Sequence, residues 1–189
     1  MNRRYALHSL AAAAGGAALL ALNSQQTWAA GEAAAMGEAE MKHAQDTKKV
    51  GALSLATSRV ALATATDAKV KQFAKWEVAE QETIADILKS MEDASGKAEG
   101  ALHAPTEAET DAMLDEEGKK KLADLKTMAG ADFDKAYLAE QLAGHKKLLQ
   151  IQEDYLKVGQ NREHLSVTKL ARGQITEHIE ILELLPKMG

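Results

Sequence analysis

The run Asp132–Leu156, DFDKAYLAEQLAGHKKLLQIQEDYL, decides the fold class. Leu138, Leu142, His145, Leu149, Gln152 and Leu156 recur at alternating spacings of four and three. Such spacing lays one stripe along a helix of about 25 residues, long enough to line one side of a helix bundle. Asp132 is placed to cap its N-terminus, and Asp134 adds negative charge to its first turn, where the helix dipole favours it. The stripe is apolar except at His145, near mid-helix, and at Gln152.

Working outward, the next segment repeats the pattern. Gly159 is a stop and Asn161 a cap; His164, Ala171, Ile175, His178, Leu182 and Leu185 then fall on one stripe that ends at Pro186. Gly173 inside it costs about 1 kcal/mol relative to alanine, which a close helix contact would offset. On the other side, Thr66-Asp67 caps a helix over 68–91 whose apolar residues include Val70, Phe73, Val78, Ile84, Ile87, Leu88 and Met91. A strict seven-residue rule counted from Phe73 puts Glu77 and Glu80 inside that stripe. Because burying unpaired charge is costly, the favoured reading rotates the helix slightly, bringing Ala74 and Val78 inward and leaving both acids at the rim. Residues 42–64 form a first helix, frayed over 30–41. The connector 94–106 is rich in small residues. Thr106-Glu107-Ala108-Glu109 has capping-box spacing, and Leu122, Leu125 and Met128 mark a short amphipathic piece stopped at Gly130.

Four long helical patterns and 4% aromatic residues argue for an all-α, antiparallel four-helix bundle over 42–186, with a long, partly helical crossover between helices two and three. Residues 1–29 stand apart. Arg3 and Arg4 precede the apolar run Leu10–Leu22, and Thr27-Trp28-Ala29 has the small-x-small form of a signal-peptidase site. Asn2-Arg3-Arg4-Tyr5-Ala6-Leu7 also resembles a twin-arginine export signal, leaving two export routes open. The expected location is the periplasm. With no cysteine, the chain has no disulfide and no thiolate metal site. Removing Arg3 and Arg4 leaves 21 basic residues against 28 acidic ones, a net charge of −7. That balance argues against nucleic acid as a partner, since its binding rests on phosphate neutralisation. No later apolar run reaches the 18 or so residues of a membrane span, so no integral membrane segment is expected after cleavage. Oligomer formation stays open.

Together, Val70-Lys71-Gln72-Phe73-Ala74, Gly130-Ala131-Asp132-Phe133-Asp134-Lys135-Ala136-Tyr137, Gly144-His145-Lys146 and Glu177-His178 resemble a bacterial family. It is that of exported, ferritin-like-bundle proteins catalogued as domain of unknown function 4142, often labelled predicted outer-membrane proteins. The resemblance covers about residues 44–185 and implies a ferritin-like fold and, loosely, a role in stress tolerance. The chain departs from the family pattern at two places. Glu80-Gln81 stands where relatives often carry Asp-His, and Ser54 where they often carry Glu. The membrane label finds no barrel-like alternation here.

The chemistry-bearing residues are few. Glu40-Met41-Lys42-His43 is the one Glu-x-x-His of the kind that di-iron bundles use in pairs, so an ordinary ferroxidase is disfavoured and the match reads as chance. His145 and His178, with Glu77 or Glu80, come from three different helices and fall near mid-helix. That set suits a transition metal such as zinc, iron, copper or nickel. The competing reading makes the same layer structural, with Glu80 best placed to meet both imidazoles, because buried polar groups pair anyway. Three roles follow: an exported, non-enzymatic bundle acting through cell-envelope or stress-related interactions with an unidentified partner; a periplasmic metal-binding bundle; and a small-ligand carrier. The first is preferred on sequence grounds.

Overall fold

The structure is a computed structural model, and residues 36–93 and 100–187 are described. Among them every regular element is helical. The expected signal segment 1–29 lies outside the described residues, as do residues 30–35 of the stretch 30–41. Six α-helices follow in order: α1 (Glu38–Thr64), α2 (Ala68–Glu92), α3 (Glu107–Met113), α4 (Glu116–Lys126), α5 (Gly130–Leu156) and α6 (Arg162–Leu184), with a final 3-10 turn. Helix α1 packs against α2 and α5, and α5 packs against α6. The short α3 and α4 make up the helical part of the crossover and lie on α1. No described helix is long and apolar enough to cross a membrane.

Several ends form as the local sequence predicts. The Asp67 carboxylate accepts from Lys69 N and Val70 N, Asn161 from His164 N, and Thr106 with Glu109 closes a reciprocal capping box. Two ends differ. Helix α5 starts two residues before Asp132, after Ala129, which offers no side-chain cap. Its first residue, Gly130, takes φ +59°, a left-handed conformation that L side chains rarely adopt. Asp134, expected to serve only the helix dipole, is buried and accepts from Thr66 N at 3.0 Å, Thr66 Oγ1 at 2.7 Å and Asp67 N at 2.8 Å. It thereby ties the α1–α2 corner to the start of α5. Helix α1 also begins earlier than expected, at Glu38, so Glu38–Met41 is helical. Gly173 has no close neighbour that a methyl group would meet, so no tight helix contact accounts for it.

Polar and apolar layers alternate along α5. Phe133 and Tyr137 join Val70, Phe73, Leu125 and Leu182 in the largest apolar cluster. Gln141 and His145 follow in a buried polar layer. Leu148 then packs with Ala171 and Ile175, and Gln152 and Tyr155 enter a second polar layer. Burying each of these large apolar side chains contributes about 1.5–3 kcal/mol. The alternation fixes helix rotation and places two separate sets of histidines at defined heights.

Candidate functional site

The first polar layer is built by four helices. Helix α2 contributes Glu77, fully buried; α5 contributes His145, fully buried; α6 contributes His178, 7% exposed; and α1 contributes Ser54. Glu77 Oε2 lies 3.2 Å from His145 Nε2 and 3.1 Å from His178 Nδ1, and those two nitrogens are 3.2 Å apart. Three donor atoms therefore form a nearly equilateral triangle. A divalent ion about 2.0–2.1 Å from each corner would stand off one side of its plane, leaving further coordination positions open.

Every other polar atom of the three side chains is held. Since a carbonyl oxygen only accepts, the 2.8 Å contact from His145 Nδ1 to Gln141 O fixes the proton on Nδ1. In the neutral ring, Nε2 then presents a lone pair to the triangle. His178 Nε2 lies 3.4 Å from Glu80 Oε2. Glu77 Oε1 accepts from Ser54 Oγ and, at 2.9 Å, from Gln81 Nε2. Ser54 Oγ also lies 2.6 Å from Gln141 Oε1, and the Gln141 amide nitrogen lies 2.9 Å from Thr57 Oγ1. Side chains behind a metal's ligands orient them in this way.

Glu77 carries the negative charge of the layer. Burial pushes its carboxyl up, but hydrogen bonds from His145, His178 and Ser54 together with the imidazole charge outweigh it and hold it below the usual range. Burial also disfavours the charged form of His178, yet Glu77 and Glu80 reverse this and raise its pKa. Glu80 is raised, chiefly by burial.

Of the four residues expected at the centre, Glu77, His145 and His178 meet at one point. Glu80 reaches only the far nitrogen of His178. Two expectations are therefore corrected. Glu77 does not sit at the rim, and Glu77 rather than Glu80 meets both imidazoles. Partners on three other helices offset the cost of burying it. Gln81 and Ser54, which the sequence offered only as departures from a family pattern, are the two groups on Glu77 Oε1. Gly51 makes room for one of them: a methyl group there would stand 2.5 Å from Gln81 Oε1.

A second buried polar layer joins Glu40 and His43, expected to be a chance motif beside a frayed end, to Gln152 and His164 on the inward stripes of α5 and α6. Glu40 and His43 are each 5% exposed. His43 Nδ1 lies 2.7 Å from His164 Nε2, and His43 Nε2 lies 2.9 Å from Gln152 Oε1. Tyr155 OH donates to Glu40 Oε1 at 2.8 Å, and its ring packs against both imidazoles. Gln160 N and Asn161 N donate to the same oxygen, and Gly37 N donates to Oε2. These contacts hold Glu40 at about 2, the Gln160 amide contributing most. Burial first, then the neighbouring His164, lowers His43 to about 4; burial likewise lowers His164. His164 Nδ1 is the one buried side-chain nitrogen or oxygen without a partner among the described residues. The signals available in sequence were the i,i+3 pair Glu40/His43 and the place of His164 on the inward stripe of α6.

The model of the family described as Domain of unknown function (DUF4142) matches residues 25–185, and the chain belongs to that family. No curated protein and no solved structure matches it.

Proposed function

We propose that this member of the family is an exported, periplasmic helical protein of ferritin-like bundle type that binds one divalent transition-metal ion through Glu77, His145 and His178. The observation that carries this reading is the convergence of Glu77 Oε2, His145 Nε2 and His178 Nδ1, brought from three helices to within 3.1–3.2 Å of one another in a buried layer. Glu77 is held ionised, and the contact from His145 Nδ1 to Gln141 O turns the Nε2 edge of that ring to the triangle. A bound cation, replacing the protons held between these atoms, would satisfy all three at once. Two imidazoles and one carboxylate with open positions suit iron(II) or zinc.

When bound, the ion would supply a Lewis-acid position inside the protein. The chain's own residues do the rest. Gln141 O orients the His145 ring, Glu80 faces the outer nitrogen of His178, and Ser54 and Gln81 occupy Glu77 Oε1 so that Oε2 points at the histidines. The envelope or stress-related setting expected from sequence is compatible with such a centre, whose use there is binding or sensing rather than a defined reaction.

The test is calorimetric titration of chelator-treated protein with zinc, iron(II), copper(II) and nickel. Saturable binding near one ion per chain is expected for at least one of them, and loss of that binding in His145→Ala and in Glu77→Gln. If none of the four binds, or if both variants bind as the parent does, the layer is structural.

A further inference from the structure

The Glu77 centre is closed on three sides and open on a fourth. Phe73 covers one end, its ring 5.2 Å from that of His178 and 6.1 Å from that of His145. One turn the other way along α5 and α6, the buried Leu148 and Ile175 cover the opposite end. On the α1–α5 side, Ser54 and Gln141 are buried and in contact with each other. They shut the centre off from a cavity of about 250 Å³ between α1, α4 and α5. The fourth side lies between α2 and α6. Among the described residues these two helices lack the close backbone packing that joins α1 to α2 and α5 to α6, and side chains bridge them instead. Exposure marks the same opening: the Glu77 and His145 side chains are at 0%, whereas those of His178 and Glu80 are at 9% and 11%.

The groups at this opening are themselves metal donors. Glu80 Oε2 lies 3.4 Å from His178 Nε2, the nitrogen that points away from the triangle. An ion about 2.0–2.1 Å from both would see them about 110° apart, close to the tetrahedral angle, with water in its remaining positions. Glu177, exposed and one residue before His178, adds a second carboxylate whose charge reaches both Glu80 and His178. No lysine or arginine pairs with Glu80 or Glu177 among the described residues, so the opening has an uncompensated negative charge that draws cations.

We infer that Glu80 Oε2 and His178 Nε2 form an entry site for divalent metal ions, which takes an ion from solvent between α2 and α6 and passes it to Glu77, His145 and His178 Nδ1. Uptake at Nε2 releases any proton held there, and that nitrogen takes a proton back, facing Glu80, once the ion has moved to Nδ1. The inference rests on the metal reading above and adds to it a route and a second, transient position.

Stopped-flow mixing of chelator-treated protein with cobalt(II), whose visible absorption changes as imidazole and carboxylate replace water, tests it. Glu80→Gln is the informative variant, because its amide oxygen still accepts from His178 Nε2 while the ligand charge is gone. Association should slow at least about tenfold and release to excess chelator should slow as much, leaving Kd within about threefold of the parent. Gly144→Leu fills the cavity on the α1–α5 side, where a methyl group would meet nothing within 4 Å, and should leave both rates unchanged. Helical circular dichroism should be unchanged in both variants. The inference is overturned if Glu80→Gln takes up cobalt(II) at the parent's rate. It is overturned too if that variant weakens Kd through faster release, since Glu80 would then only position His178, or if Gly144→Leu slows uptake. Equilibrium titration of the parent separates the two readings. Saturable binding without these rate effects removes the entry site alone, whereas no saturable binding removes the centre and the entry site together.

Discussion

The protein holds two buried histidine pairs, and they differ in what stands third. At mid-helix, His145 and His178 face Glu77 Oε2, whose polar partners among the described residues are those two imidazoles. At the α1 end, His43 and His164 sit near Glu40, whose Oε1 already accepts from Tyr155 OH, Gln160 N and Asn161 N. One carboxylate turns an oxygen to two imidazoles, and the other has both oxygens taken by backbone amides and a phenol. The first raises its neighbouring histidine and makes a cation-shaped vertex. The second locks a loop to a helix start and leaves its histidines neutral, with His43 lowered to about 4. Two imidazoles in contact are therefore not a functional sign in themselves. The state of the nearest carboxylate decides.

The largest expected effect is on stability. Glu77→Ala should lower the unfolding free energy in urea by about 3–5 kcal/mol, because it strands two buried imidazoles. Glu40→Ala, whose donors are close enough to the surface to find water, should cost about 1–3 kcal/mol. Equal losses would erase the distinction drawn between the two carboxylates.

Metal-induced stabilisation should come next in size. At a free ion concentration a hundredfold above Kd, the parent should gain about 2.7 kcal/mol. His43→Gln should gain as much, and His145→Gln should gain nothing. A matching loss in His43→Gln would place the ion at the wrong pair.

The pH dependence should then run in opposite directions at the two pairs. His43 and His164 both have depressed folded-state pKa values, and for His43 the unfolded chain binds a proton that the folded chain does not between about 6.5 and 4. Stability from this source is intact above pH 6.5 and falls with acidification, by about 3 kcal/mol at most for His43. His178 is raised, so its contribution is complete below the ordinary histidine value and is lost as pH rises through its folded value. His43→Gln should flatten the acid limb of a urea-midpoint profile, and His178→Gln the neutral-to-alkaline limb. The reverse assignment would break the electrostatic contrast.

The smallest effect concerns the room left for Gln81. Gly51→Ala should destabilise by about 0.5–1.5 kcal/mol through displacement of the amide from Glu77, and the loss should shrink in a Gln81→Ala background. Strict additivity in that double-mutant cycle would mean that the two positions do not interact.

Much of this was legible before the structure. The stripe through Leu138, His145 and Gln152 marked part of the inward face of α5, although Leu142, Leu149 and Leu156 on the same count are only partly buried and Gln141, Leu148 and Tyr155 are buried instead. Asp67, Thr106 and Asn161 announced their helix ends, because capping is settled within four residues. What was not legible depended on distant partners. The count from Phe73 already placed Glu77 inward, but the partners that let it be buried, Ser54, His145 and His178, lie on three other helices, and nothing in the sequence of α2 alone records them. Its buried residues Val70, Phe73, Ala74, Glu77, Gln81 and Leu88 describe a seam rotated from the one counted off Phe73. The start of α1 looked frayed because alanine-rich sequence has a weak pattern, whereas Glu40 is anchored by backbone amides about 120 positions away. Asp134 was misread for the same reason: its partners, Thr66 and Asp67, lie at another corner.

The bond from His145 to the carbonyl of Gln141 has a consequence for how portable the centre is. Both groups belong to one turn of α5, so the direction in which this imidazole points is written into a local segment and needs no neighbouring helix to set it. A segment of this kind can be carried as a cassette. Grafted at an inward position of an unrelated designed bundle, Gln141–His145 would bring its ring already aimed, and only the carboxylate and the second imidazole would have to be supplied by the host.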